Sequence, residues 1–197
     1  RFAPVTSARR KDQKWHLAVG GHPVICQQLI LATNGYSGSL NKPVMKSVLP
    51  LVPVQIATDP LPDEVISSIL SGGQTISDTR RMIMYARREP DNRMVFGGIG
   101  YCHPLGGTGG FNWLLRDVKR VFPVLHNVEW TDWWSGQIAI TDDHIPHFHE
   151  PEPGMLAGLG YNGRGVAMAS LMGKWLAARA LGADPHQMPI PCSKVER

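Results

Sequence analysis

The segment Gly158-Leu159-Gly160-Tyr161-Asn162-Gly163-Arg164-Gly165-Val166 constrains the fold of this chain most. It follows an apolar strand-like run, Met155 to Leu159, and opens a long apolar run with helical character, Gly163 to Leu181. Glycines at such a junction let the backbone approach a neighbour or a ligand closely. The helix start offers unpaired N–H groups and about half a positive charge, which favours an anion or an electron-rich carbonyl. No βαβ unit follows, and no acidic residue stands at a strand end ~20 positions on, so this is not the usual dinucleotide fingerprint. Taken alone, the segment reads equally as a packing turn. The helix is apolar almost all round and is expected to be buried.

The rest of the chain reads as short elements joined by many turns. Glycine and proline are abundant, 21 and 16 residues among 197. Trp15 to Val19 and Pro23 to Ile25 read as strands around a Gly20–Gly21 turn. Gln28 to Thr33 reads as a central strand buried on both faces, ending in Asn34-Gly35-Tyr36. Pro43 to Pro53 reads as an extended linker, because proline opposes helix. Val54 to Thr58, Arg81 to Arg88, Arg93 to Ile99 and Val128 to Ile140 read as strands. Asp63 to Leu70 and Asn112 to Val121 read as helices. Gly100 to Gly110 reads as a glycine-rich loop that lacks the Lys-Ser/Thr of a phosphate-binding loop. Ile145 to Phe148 and Met155 to Leu159 are strands around a turn. The fold class is α+β: α/β segments flank a mostly antiparallel sheet with packed helices. The expected divisions are residues 1–42, 43–139 and 140–197, the first and last belonging to one domain.

Bulk properties exclude several functions. Apolar content of 43% and a net charge of +4 rule out wholesale disorder. The apolar stretch from Met155 to Leu181 is interrupted by Arg164, Lys174 and Arg179, so no membrane span is expected. Cys26, Cys102 and Cys192 are odd in number and far apart, which suits a reducing, cytoplasmic setting rather than a disulfide scaffold. Basic residues are scattered rather than striped, against nucleic-acid binding. His144, His147 and His149 lie near Asp142 and Asp143, and such ligands suit zinc or iron. That makes a metal-dependent enzyme one rival reading. A non-catalytic binding module is another.

Several segments in order resemble the FAD-dependent D-amino-acid oxidase superfamily. These are Leu31-Ala32-Thr33-Asn34-Gly35-Tyr36, then Ser77-Asp78-Thr79-Arg80, then Tyr85-Ala86-Arg87 with Phe96-Gly97-Gly98. Trp134-Ser135-Gly136, the T-x-D-x-x-P turn from Thr141 to Pro146, and Gly160 to Val166 complete the series. The resemblance covers about Lys14 to Gly182. It implies non-covalent FAD, since none of the three cysteines lies where related oxidases attach it. It implies flavin-side residues Thr33, Asn34, Gly35, Gly136, Asp143, Gly160, Tyr161, Asn162, Gly163, Gly165 and Val166. Residues 1–42 and 140–197 would belong to the FAD domain and 43–139 to the substrate domain. The family's N-terminal G-x-G-x-x-G and ribose-binding acidic residue are not in this sequence. The resemblance therefore implies the C-terminal portion of such an enzyme, inactive without the missing N-terminal segment.

The implied reaction oxidises a C–N bond of an amine or amino acid by hydride transfer, and no general base is assigned. Family amino-acid oxidases read G-x-R-P before the T-x-D turn, where arginine clamps the substrate carboxylate. Here Gly136-Gln137-Ile138-Ala139 puts Ile138 at that place. This favours an amine such as a polyamine derivative, in the manner of the γ-glutamylputrescine oxidoreductase branch. Tyr85 and Arg87 alternate onto one strand face and are candidate substrate residues with Ile138. A homo-oligomer is left open.

Overall fold

In the computed structural model, residues 2–99, 111–193 and 195 are described. The first elements are β1 (Val5–Lys11), β2 (Lys14–Val19), β3 (His22–Cys26), β4 (Leu29–Leu31), α1 (Lys42–Lys46), β5 (Leu49–Leu51) and β6 (Pro53–Thr58). Then come α2 (Asp63–Ile66), β7 (Thr75–Ser77), β8 (Met84–Arg88), β9 (Met94–Ile99), α3 (Asn112–Val121) and β10 (Trp130–Ser135). The last are β11 (Ile138–Ile140), β12 (His147–Glu152), β13 (Met155–Leu159), α4 (Gly165–Ala180) and β14 (Cys192–Ser193). The architecture is mixed α and β with largely antiparallel sheets, as the sequence implies. The glycine-rich loop from Gly100 to Gly110 lies outside the described residues. Among those described, no helix is long and apolar enough to cross a membrane.

The chain divides into two compact units, residues 1–50 with 138–197, and residues 51–137. In the first, β1-β2-β3 form an antiparallel meander. Gly20 and Gly21 both take positive φ, as the tight hairpin between β2 and β3 requires. The sequence shows no signal for β1, because its VTSARRK run is mostly exposed and charged and lacks alternation. A four-stranded sheet follows in the order β14-β12-β13-β4, with β4 parallel to β13. The expected central strand is thus three residues long and lies at the sheet's end. Leu29 and Leu31 are buried, but Ile30 is exposed, which alternation on a one-sided strand produces.

The expected linker from Pro43 contains a helix instead. Pro43 sits in the first turn of α1, where its missing N–H removes no intrahelical bond, and Asn41 Oδ1 caps Val44 N–H at 3.0 Å. Helix α4 also departs from expectation. Only Met172 and Leu176 are buried, packed with Phe148, Leu156 and Tyr161, while Val166, Leu171 and Leu181 are exposed. An all-round apolar helix needs cover on every side, and the described residues supply it on one.

The second unit is a five-stranded sheet in the order β10-β6-β9-β8-β7, with every described neighbour pairing antiparallel. Its core joins Val54, Ile56, Met84, Ala86 and Phe96 to Leu114 and Val118 of α3. The expected helix over Asp63 to Leu70 is the single turn α2, and Leu70 leaves it with positive φ. The expected strand over Val128 to Ile140 breaks at Gly136–Gln137 into β10 and β11.

Candidate functional site

Parallel pairing sets β4 and β13 side by side, with Leu31 opposite Ala157, so both chains leave the sheet at the same end. Ligands in α/β sheets gather at such carboxyl ends. Here Asn34 and Gly160 meet across 126 positions of sequence, the Asn34 Oδ1 accepting the Gly160 N–H at 3.0 Å. Asn34 itself opens a short 3-10 turn through Gly35 to Tyr36. Ser37 closes that turn by donating to the Asn34 carbonyl at 2.7 Å, and its hydroxyl lies 3.0 Å from Thr33 Oγ1.

The glycine loop is held by a side-chain network. Asn162 Nδ2 donates to the Gly160 carbonyl at 2.6 Å and to Thr141 Oγ1 at 3.0 Å, and its Oδ1 accepts the Thr141 N–H at 2.9 Å. Gly160 has φ +76, and a Cβ there would stand 2.3 Å from Thr141 Cγ2, so glycine is required twice over. Thr141 is buried, and its hydroxyl donates to the Ile145 carbonyl at 2.9 Å. Tyr161 turns into the core, its hydroxyl donating to the Gly158 carbonyl at 3.3 Å, and burial pushes its phenol up. Arg164, one residue before α4, reaches back to the His144 carbonyl at 3.1 Å.

The start of α4 is open by comparison. Among the described residues, nothing beyond its chain neighbours lies within 4 Å of where a Gly163 Cβ would be, and Val166 is fully exposed. A Cβ added at Gly165 would meet the Tyr161 ring at 3.6 Å. A flat, partly apolar ring with electron-rich carbonyls needs such a place: bare backbone, an uncovered apolar side chain and a helix N-terminus. The residues present therefore fit a flavin.

The T-x-D-x-x-P turn is built by its own carboxylate. Asp143 Oδ1 accepts the Ile145 N–H at 3.0 Å and lies 3.2 Å from His147 Nε2. The Ile145 N–H, and more weakly Thr141 and His147, hold the Asp143 carboxyl below the usual range against the opposing effect of desolvation. His149 lies behind it, buried, with Nδ1 2.8 Å from Ser193 Oγ and Nε2 3.2 Å from Ser47 Oγ. Burial, then the neighbouring His147, lowers its pKa to about 4. The two rings meet edge to face at 5.2 Å. His144 contributes a backbone carbonyl instead of its ring to the Arg164 contact. Among the described residues, no three His, Cys, Asp or Glu side chains gather as a metal would require.

The candidate substrate residues fall differently. Tyr85 and Arg87 of β8 oppose Gly97 and Val95 of β9 and share one face in the second unit. Tyr85 is half-buried, which pushes its phenol up, and Arg87 is exposed and ion-paired with Glu89. They line a cavity of ≈ 240 Å³ with Thr75 and Ser77. Gly136 belongs to the second unit, where its N–H donates to the Pro53 carbonyl at 3.2 Å. Ile138 opens β11 in the first unit and is half-buried. Sequence reasoning missed Thr141 and Ser37 as parts of the loop network. Thr141 was legible in the turn pattern, whereas Ser37 shows only by contact.

A family model described as FAD dependent oxidoreductase matches residues 1–179. A probable oxidoreductase OrdL of Haemophilus influenzae is 31% identical over 186 residues, covering 92% of this chain and 42% of that protein. The gamma-glutamylputrescine oxidoreductase of Escherichia coli K12 is 26% identical over 155 residues, covering 78% of this chain and 36% of that protein. Among solved structures, iminodiacetate oxidase from Chelativorans sp. BNC1 superposes with a TM-score of 0.74 at 19% identity, covering 100% of this chain and 54% of that one. The chain thus spans about two fifths of the relatives it matches in sequence and half of that structure.

Proposed function

The chain belongs to the family of FAD-dependent oxidoreductases, and on that premise we propose that it is the C-terminal portion of an enzyme oxidising a C–N bond of an amine or amino acid. The observation that carries this reading is the union of the Asn34 turn with the Gly160 loop beside an open helix start. Bound there, FAD supplies a two-electron acceptor for the hydride of the carbon next to the amine. Thr33, Asn34, Gly35, Gly160, Asn162, Gly163, Gly165 and Val166 hold it, with Gly136 and Asp143 completing the set and Tyr161 fixing the loop from the core. The helix dipole favours the negative charge that accompanies reduction. The substrate would give up a hydride to the bound flavin and a proton to water, and the imine so formed would take up water to give a carbonyl and a free amine. Tyr85, Arg87 and Ile138 meet the substrate. An aliphatic side chain at 138 offers a carboxylate no clamp, which supports an amine over a simple α-amino acid.

The exposed flank of α4 and the outer edge of β4 take their cover from the N-terminal segment of the same protein. The test is the full-length protein. It is expected to purify yellow and to bleach on anaerobic addition of an amine such as γ-glutamylputrescine. A colourless full-length protein that takes up no FAD refutes the reading. Titration of the 197-residue chain with FAD is expected to show weak binding and no turnover.

A further inference from the structure

The sheet of the second unit carries a row of side chains that runs through the candidate substrate residue Tyr85. Trp134 of β10 opposes Gln55 of β6, Gln55 opposes Gly97 of β9, Gly97 opposes Tyr85 of β8, and Tyr85 opposes Ser77 of β7. Residues directly opposed across strands point to the same face. The alternate residues Val54, Ile56, Met84, Ala86 and Phe96 pack with α3, so this row lies on the other face. At ~4.8 Å per strand, Trp134 to Tyr85 spans three spacings, the reach of an extended aliphatic chain.

Gly97 explains the shape of the row. A Cβ there would lie 2.6 Å from Tyr85 Cε2 and 2.7 Å from Gln55 Cγ. Both side chains therefore lean over the glycine from opposite sides, and any larger residue would push them apart. Tyr85 and Gln55 are half-buried and Trp134 is 41% exposed. Among the described residues, neither the Gln55 amide nor the Tyr85 hydroxyl has a hydrogen-bond partner. The Gln55 amide, half-buried and without a partner among the described residues, thus stands between the rings of Trp134 and Tyr85.

The charges around the row decide what it can take. Arg87, on the same face, is held by Glu89, and Arg93 is shared among Asp59, Asp91 and Asp132. Neither guanidinium is free to receive a carboxylate. Aromatic faces and amide or phenol oxygens, in contrast, suit an ammonium.

We propose that Trp134, Gln55 and Tyr85 form the floor that recognises the tail of the substrate, an aliphatic chain ending in a second ammonium group. The choice of ligand rests on the reading of the protein as an amine-oxidising flavoenzyme. Gln55 Oε1 accepts an ammonium N–H, and the rings of Trp134 and Tyr85 meet the charge through their faces. These are specificity residues for the tail and take no part in the bond-breaking step.

The test compares putrescine with n-butylamine, which has the same carbon chain and lacks the second ammonium. Binding to the full-length flavoenzyme is measured by calorimetry, and flavin bleaching is followed separately under anaerobic conditions. Putrescine is expected to bind at least tenfold more tightly than n-butylamine, a difference a single charge-assisted contact supplies. Gln55→Leu and Tyr85→Leu are each expected to shrink that ratio severalfold, the first by removing the acceptor and the second by removing the ring face, with unchanged circular dichroism reporting a folded protein. Equal binding of the two amines, absence of binding, or a ratio unmoved by both variants overturns the proposal. Discriminating, Gln55-dependent binding without bleaching upholds the floor and overturns the proposed oxidation instead.

Discussion

Acid should loosen the first unit through His149. The ring is 4% exposed and wedged between Ser47, which ends α1, and Ser193 of β14. Its pKa falls from 6.5 to about 4 because burial opposes the charged form, with His147 adding repulsion. A base with a depressed folded pKa contributes its full stability above 6.5. Between 6.5 and 4 the unfolded chain binds a proton that the folded chain refuses, so stability falls as pH falls. At ~1.4 kcal/mol per unit, the whole window removes about 3 kcal/mol. That is a large share of a usual stability of about 5–15 kcal/mol. Urea unfolding of the full-length protein between pH 7.5 and 4.5 measures it. His149→Gln keeps a side chain able to bond both hydroxyls and removes the titration. The variant is expected to be about 1 kcal/mol less stable at pH 7.5 and distinctly flatter towards acid. Equal pH slopes in wild type and variant would refute the argument, because the slope lost must equal the proton His149 no longer takes up.

Other changes probe the loop. Gly160→Ala forces an alanine to φ +76 with its Cβ on Thr141, and is expected to cost about 2–4 kcal/mol in thermal unfolding and to lower FAD occupancy. Asn34→Ala removes the acceptor of the Gly160 N–H and is expected to cost about 1–2 kcal/mol, while Asn34→Asp retains that acceptor and most of the stability; urea midpoints separate them. Ile138→Arg is expected to raise kcat/KM for a simple α-amino acid relative to an amine in the full-length enzyme, and an unchanged ratio counts against position 138 meeting substrate.

What was legible in the sequence follows the range of the interaction. The Gly20–Gly21 hairpin, helix α3 and the strand–loop–helix junction at Gly160 are local patterns, set by turn chemistry and apolar spacing within a few residues. Helix α1 was obscured because Pro43 reads as a breaker unless its place in the first turn is known. Strand β1 was obscured because an exposed edge of a meander carries no apolar stripe. The site divides in the same way. Its glycines and asparagines stand out in sequence, but the bond from Asn34 to Gly160 depends on the parallel pairing of β4 with β13. The row from Trp134 to Ser77 depends on four strand registers at once, which no single window contains.

The asparagines of the loop do more than tolerate an unusual backbone. Asn34 and Asn162 have φ of 45 and 53, beside Gly160 at 76. A left-handed conformation costs an ordinary residue roughly 1–2 kcal/mol, and asparagine recovers part of this by bonding locally. Here Asn162 bonds locally, giving to the Gly160 carbonyl, while Asn34 takes the Gly160 N–H across 126 positions of sequence. Gly160 is therefore satisfied on both sides by protein alone, and Thr141 locks Asn162 in turn. The loop needs no ligand to hold its shape, while Gly163 and Val166 just beyond it stay uncovered. A rigid seat next to an open helix start keeps the ordering cost of binding low. Because asparagine side chains fix the seat, no described side chain is spent on the backbone N–H groups of Gly165 and Val166 at the start of α4, where we propose that the cofactor binds.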